Sequence, residues 1–432
     1  MSDVMLITVS GNDQPGITSA FAQALAVSDA TLLDVRSTVL HHTLALTFLV
    51  RLGKEANMAE IKQELHSRAE ALRAVVRTYP ISQAQFHEWA VREHRQRFIL
   101  SLLAPRITAS TLALVTSAVS SMGLAIHSME RLSARESATN PTNPRICLEF
   151  TISGDAVSPT QLRRTLLSLA DKGEFDIAVQ EDSIFRSNRR LVAFDMDSTL
   201  IQMEVIDELA RMAGVGEQVA AITEAAMQGK LDFDASFRKR LALLKGLPVR
   251  LVNDLAERLP ITTGAHRLMR TLKSLGYKTA ILSGGFTHFA RRLQQELGFD
   301  YIGANELDMQ NGVLTGKVTG PIVNGTRKAE LFRQIADQEK ISMYQTVAVG
   351  DGANDLPMLA IAGLGVAFHA KPVVREKAQT SISVAGLDAL LYLLGLRDRH
   401  IDKQSPGYSS FRFPEAQSAL IPLVERETVA SL

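Results

Sequence analysis

Two aspartates separated by one residue, Asp195 and Asp197, directly follow a short apolar run, Leu191-Val192-Ala193-Phe194. Such a run suits a parallel strand buried on both faces. Alternation along an extended strand end would point both carboxylates the same way. Carboxylates so crowded repel unless a cation lies between them or one keeps its proton. A surface turn explains a lone pair of this kind equally well, so the rest of the chain has to decide. Three later features favour chemistry. The apolar run 278–282 ends in Ser283-Gly284-Gly285, a small hydroxyl and two glycines that permit close backbone approach to a phosphate. Lys328 opens a helical stretch over 328–338, and a third run, 345–349, ends in Gly350-Asp351-Gly352-Ala353-Asn354-Asp355. Asp351 and Asp195 are oxygen donors that suit the hard, octahedral Mg²⁺ ion. Such signals after strands fall where open α/β sheets hold their ligands.

In order, D-x-D-x-T, S-G-G, Lys and G-D-G-x-N-D resemble the haloacid dehalogenase superfamily of phosphotransferases, over roughly 190–395. The resemblance implies a Rossmann-like core and an aspartyl-phosphate mechanism. Asp195 would be the nucleophile, and Asp197 the general acid and then the general base. Asp195, the backbone carbonyl of Asp197 and Asp351 would hold Mg²⁺. Ser283, the Gly284 amide and Lys328 would bind phosphoryl oxygens, and Asn354 would orient the site. Asp355 would support the loop; a simple helix-start carboxylate is an equal reading of it.

Between the first two motifs, over about 201–260, the pattern turns helical. Val205, Ile206, Leu209, Ala210 and Met212 recur at helix spacing, as do Leu241, Leu244, Leu251, Val252 and Leu255. An insertion of this length after the first strand would make a helical cap that excludes water and reads the substrate. By residue type alone, Glu204 is a first-turn helix acid and Arg240 one of several basic residues on an exposed face. However, D-x-D-S-T-x-I-x-x-E and D-F-x-x-S-F-R-K-R resemble the phosphoserine phosphatase family. That resemblance implies that Glu204 takes the substrate ammonium and Arg240 its carboxylate, with Met227 and Phe233 as an apolar wall. It further implies O-phospho-L-serine as substrate, L-serine as product, and a place at the last step of L-serine synthesis. Arg238 and Lys239 have no comparable role and should face solvent.

Before residue 182 the chain states one pattern twice. Strands over 4–10, 31–40, 43–52 and 73–79 interleave with helices over 16–27 and 57–72. Strands over 98–104, 124–133, 145–153 and 174–181 interleave with helices over 109–122 and 159–171. Each pass is β-α-β-β-α-β, the ferredoxin-like arrangement. The loop Gly11-Asn12-Asp13-Gln14-Pro15-Gly16-Ile17 makes the pair resemble ACT domains, the amino-acid-sensing modules of metabolic enzymes. Asp13 could meet an ammonium, and the amides near Gly16 a carboxylate. A tight turn with nothing bound is the alternative. In the second pass Leu103-Ala104-Pro105-Arg106 replaces the glycine-rich loop, which leaves it a packing role. The resemblance implies serine as effector and a homodimer through these domains. The resulting layout is ACT domains over 1–81 and 97–182, the phosphatase over 190–395, and a tail over 396–432 with no recognisable motif.

Composition sets outer bounds. The 432 residues hold 47 Lys+Arg against 46 Asp+Glu, a net charge of +1, which supplies no general attraction to nucleic acid or acidic membranes. The basic cluster Arg186, Arg189 and Arg190 reads as a solvated linker, and 82–97 as another linker. A single cysteine, Cys147, rules out an intrachain disulfide framework and suits a core position. No apolar run approaches the roughly 20 residues of a membrane helix, and the first residues lack the pattern of a secretion signal. The expectation is a soluble cytoplasmic protein.

Overall fold

The apolar runs that end in the three motifs lie side by side in one sheet of the computed structural model. The structure describes residues 3–53, 56–92, 96–135, 145–154, 158–170, 173–401 and 419–420. The stretch 136–144 between the expected strands 124–133 and 145–153, and most of the tail over 396–432, lie outside the described residues. The chain divides into two compact units, Met1–Arg95 and Gln96–Leu432.

In the first unit, β1 (Val4–Asn12), α1 (Ile17–Ala26), β2 (Thr31–Leu40), β3 (Thr43–Arg51), α2 (Met58–Ala71) and β4 (Val75–Ile81) follow the β-α-β-β-α-β order. Their sheet runs β2-β3-β1-β4, with every neighbouring pair antiparallel. Alternate residues of β1, Met5, Ile7 and Val9, are buried with Phe21 of α1 and Leu65 of α2. Asn57 caps α2 by accepting the Ala59 N–H at 3.0 Å. The stretch after β4 is more ordered than a linker reading implies, because Gln83–Arg92 forms α3.

The second unit opens with the same order: β5 (Arg97–Ala104), α4 (Ala109–Ser121), β6 (Ala125–Arg131), β7 (Ile146–Ser153), α5 (Pro159–Ala170) and β8 (Asp176–Glu181), in a sheet β6-β7-β5-β8. A Rossmann-like core follows. Its strands are β9 (Leu191–Phe194), β10 (Lys278–Phe286), β11 (Tyr301–Gln310), β12 (Val313–Thr319), β13 (Thr346–Gly350), β14 (Leu364–Phe368) and β15 (Thr380–Ile382). Their order is β12-β11-β10-β9-β13-β14-β15, parallel except at β11–β12. Ala419–Leu420 adds a short parallel pairing to β11.

The two-faced burial expected of β9 is present. Val192 and Phe194 join one hydrophobic cluster, with Leu268 and Leu293, while Leu191 and Ala193 join another, with Leu331 and Phe332. Four of the helices between the first and second motifs are α6 (Val205–Met212), α7 (Gly216–Met227), α8 (Phe233–Ala242) and α9 (Val249–Ala256). They form the cap, and its two connections to the core pair with each other. Gln202 N–H donates to Pro260 O at 2.8 Å and Thr262 N–H to Leu200 O at 2.9 Å. Beyond the cap come α10 (Ala265–Ser274), α11 (Thr287–Leu297), α12 (Gly325–Gln338), α13 (Leu356–Ile361), α14 (Pro372–Lys377) and α15 (Leu390–Leu393). Among the described residues, no helix is long and apolar enough to cross a membrane.

Leu103, Leu132, Cys147 and Ala178 of the second β-α-β-β-α-β segment belong to the same cluster as Val192 and Phe194. Segment and core therefore share one interior. Burial pushes the Cys147 thiol pKa up, with the Glu149 charge adding to it, as suits a core residue rather than a nucleophile. The basic cluster departs from the solvated-linker expectation. Arg186 pairs with Glu149, and Arg189 is buried and donates to Tyr344 O. Both arginines fasten β9's approach to neighbours distant in sequence.

Candidate active site

Strands β10, β9 and β13 are adjacent and parallel, so the loops at their C-terminal ends open onto one pocket of about 840 Å³. The chain order changes direction at β9, the position where such sheets bind ligands. The pocket is lined by Asp195, Asp197, Ser283, Gly284, Asp351 and Asn354 from the core, and by Glu204, Phe233 and Arg240 from the cap.

Regular strand ends at Phe194, yet Asp195 N–H still donates to Val349 O at 2.9 Å, which fixes the first carboxylate beside β13. The chain then turns: Thr199, Leu200 and Ile201 N–H groups all donate to Met196 O. Asp197 shares the pocket through this turn rather than through strand alternation. Ser283 Oγ accepts the Gly285 N–H at 2.9 Å, which shapes the second loop. A Cβ on Gly285 would stand 2.6 Å from Asp197 Oδ2, and one on Gly284 3.1 Å from the Phe233 ring. The glycine pair thus lets the acid and the cap approach the loop.

Lys328 lies one turn inside α12, which starts at Gly325 rather than at Lys328; Asn324 caps it by accepting the Arg327 N–H at 3.1 Å. The Lys328 ammonium is 0% exposed and lies 2.8 Å from Asp195 Oδ1 and 2.7 Å from Asp355 Oδ1. Burial pulls its pKa down, but the Asp195 and Asp355 charges outweigh that and hold it above the ordinary value. Asp355 Oδ2 also accepts the Gly352 N–H at 3.0 Å. Both oxygens of this carboxylate are therefore engaged in holding Lys328 and the loop.

Oxygens of Asp195, Asp351 and Asp355 lie within 4.8 Å of one another. Burial, then the Asp195 and Asp355 charges, push the Asp351 pKa up to about 8. Crowded acids in this state are relieved by a cation, and an all-oxygen donor set suits Mg²⁺. Asp197 is raised well above the usual carboxylate range by burial, then by Glu204 and Asp195.

Glu204 is the N-cap residue of α6 but makes no side-chain cap bond. Its carboxylate instead accepts the Ser198 hydroxyl at 2.7 Å, within the pocket lining. Burial raises its pKa, and the Ser198 hydrogen bond opposes that rise. Arg240 is half-buried while Arg238 and Lys239 are exposed. Among the described residues its Nε is buried without a hydrogen-bond partner, and burial lowers its pKa against the Asp207, Glu204 and Asp197 charges. Phe233 stacks on Phe237 at 6.1 Å between ring centres. The side chain of Met227 lies outside the described residues.

Three residues are absent from the sequence-based site. Asn305, 1% exposed, donates to Gly284 O at 2.8 Å and accepts the Val323 N–H at 2.8 Å, so it fastens the S-G-G loop. Ser198 holds Glu204 from a backbone with φ of 56°. Asp207, on the pocket wall, supports the Arg240 charge. Only the S-G-G motif and the D-x-D-S-T run pointed near them.

A haloacid dehalogenase-like hydrolase family matches residues 189–363, and an ACT domain family matches residues 3–79. A phosphoserine phosphatase of Mycobacterium tuberculosis is 39% identical over 406 residues, covering 93% of this chain and 96% of that protein. The chain belongs to the phosphoserine phosphatase family. A family member from Streptomyces coelicolor is also 39% identical, over 93% of this chain and 95% of its own length. A haloacid dehalogenase family hydrolase of Salmonella enterica serovar Typhi superimposes with a TM-score of 0.60 at 34% identity, over 69% of this chain and 98% of its own.

In the first unit, Asp13 is exposed and its N–H donates to His42 O at 2.8 Å. Gly16 caps α1 with φ of 89°, a left-handed conformation that favours glycine. Gln14 Nε2 ties the same loop to Leu72 O at 2.8 Å.

Proposed function

We propose that this chain hydrolyses O-phospho-L-serine to L-serine and phosphate, the last step of L-serine synthesis, in the cytoplasm. One observation carries the substrate assignment: a carboxylate and a guanidinium from the cap, Glu204 and Arg240, share one pocket with Asp195 of the core, which is itself paired to Lys328. An ammonium and a carboxylate separated by one carbon need such a pair of opposite charges. The unpartnered Arg240 Nε is a donor available to that carboxylate.

Asp195 attacks phosphorus to give an aspartyl-phosphate, which water then hydrolyses. Asp197 delivers a proton to the departing serine oxygen and later takes one from the water. Its raised pKa suits the first of these duties. Lys328, Ser283 and the Gly284 amide hold phosphoryl oxygens as their charge is redistributed. Asn354 orients the site, and Phe233 forms part of its apolar wall. Asp195, the Asp197 carbonyl and Asp351 would hold Mg²⁺, with Asp355 supporting the loop. Bound there, Mg²⁺ would supply charge neutralisation during the transfer.

The proposed layout keeps ACT domains over 1–81 and 97–182, the phosphatase over 190–395 and a tail over 396–432. The first ACT domain binds L-serine near Asp13 and Gly16, and the ACT domains pair two chains into a homodimer. Phosphate release from phosphoserine, beside an aryl phosphate and with or without Mg²⁺, tests the catalytic reading. Strong, Mg²⁺-dependent preference for phosphoserine is expected; turnover of the aryl phosphate alone would discard the Glu204 and Arg240 roles. Calorimetric serine binding that survives Asp13→Ala unchanged would refute the regulatory placement.

A further inference from the structure

We propose that Asp176, on β8 of the second β-α-β-β-α-β segment, is a positioning residue for phosphoserine hydrolysis that holds the 369–384 wall of the active-site pocket. The inference rests on reading that pocket as the phosphoserine site.

Asp176 is 3% exposed, and each of its oxygens accepts a backbone N–H across the boundary with the core. Oδ1 takes Ser383 N–H at 2.7 Å, and Oδ2 takes Val384 N–H at 2.9 Å. Burial pushes the carboxyl pKa up while the Val384 and Ser383 N–H groups pull it down. A carboxylate buried at such cost persists only where both oxygens are satisfied, so the grip is two-pronged.

The gripped residues directly follow β15, an edge strand paired to β14 over only three residues, 380–382. Between β14 and β15 lies α14. Lys371, Val373 and Val374 line the active-site pocket. Pro372, Arg375 and Glu376, on the other side of the same turn and helix, line a separate cavity of about 140 Å³ shared with Phe175 and Asp176. Among the described residues the cavity leaves part of this side of α14 less closely packed, and a void forfeits some of the contacts that would hold it. The position of α14 therefore depends on the burial of Val374, and of Ala378 just beyond it, in the core and on its two ends. One end is β14 in the sheet; the other is the 383–384 turn in the grip of Asp176. Through this linkage the second segment sets how closely Lys371 and Val373 stand to a bound substrate.

The test uses the full-length chain. Asp176→Asn keeps the shape but replaces one accepting oxygen with a donor that faces an N–H, and Asp176→Ala removes both acceptors. In Asp176→Asn, KM for phosphoserine should rise about tenfold with kcat within about twofold, the effect of losing one hydrogen bond to a charged group. Hydrogen exchange over 371–384 should quicken in both variants while β9 and β13 stay protected. Where Asp176→Ala fails to fold, Asp176→Asn alone carries both readouts. Unchanged exchange would show that no grip exists, and quicker exchange with an unmoved KM would show that the grip does not position the site. Either result overturns the inference. Absence of phosphoserine turnover in the parent chain would overturn the site reading together with it, whereas normal parental turnover with an unmoved KM would overturn this inference alone.

Discussion

Two cations of the site, one lysine and one arginine, stand in different conditions. In the core, Lys328 is wholly buried and bonded to both Asp195 and Asp355 before any ligand arrives. In the cap, Arg240 is half-buried, and its Nε has no hydrogen-bond partner among the described residues. The same contrast separates the acids. Asp351 and Asp355 are fastened by Thr199, Lys328 and Gly352, whereas among the described residues the Glu204 carboxylate accepts a hydrogen bond only from Ser198. Groups that meet developing charge gain most when they are oriented in advance, because no reorganisation is then needed during transfer. Groups that recognise a substrate can leave hydrogen bonds unmade until it arrives. On the proposed function, core and cap thus divide the work into chemistry and selection.

The largest test of that division is Asp195→Asn. Turnover of phosphoserine and of an aryl phosphate should both fall at least about 10³-fold, as expected when a nucleophile is removed. Thermal melting should still show a folded chain. Residual activity near the parental level on either substrate would break the assignment of chemistry to the core.

A cap substitution should behave differently. Arg240→Ala is expected to lower kcat/KM for phosphoserine about 10²-fold, the scale of a lost bidentate charge pair, and to leave aryl phosphate turnover within about threefold. Equal losses on both substrates would place Arg240 in the chemistry and dissolve the contrast.

The smallest effect sharpens the comparison. Ser198 occupies a left-handed backbone conformation that costs a non-glycine residue about 1 kcal/mol or more. Ser198→Gly removes that strain together with the hydroxyl that holds Glu204. KM for phosphoserine should rise about tenfold, as for a hydrogen bond to a charged acceptor, without a fall in melting temperature. A lower melting temperature with unchanged KM would make Ser198 structural only.

Much of this was legible locally. The apolar runs before Asp195, Ser283 and Asp351 are short and continuous because their strands are buried on both faces. Both β-α-β-β-α-β passes could be followed because their helices and strands carry different periods. Less legible was anything dependent on distant partners. Arg186 and Arg189 look solvated in a basic cluster, yet their partners Glu149 and Tyr344 lie 37 and 155 residues away. Asn305 sits in a strand with no motif around it, and its importance arises from touching the S-G-G loop 20 and 21 residues earlier.

The chemistry-bearing residue types, their order and the strand ends that carry them were determined by the sequence itself, because motif spacing and hydrophobic period are properties of neighbouring residues. Tertiary structure alone decided that β10, β9 and β13 lie side by side, that Glu204 leaves its helix end uncapped, and that Asp176 reaches across to the 383–384 turn. Each of those outcomes depends on pairing or burial between segments far apart in the chain. Such contacts form only when the whole interior closes, and no local pattern encodes which of the available partners will be met.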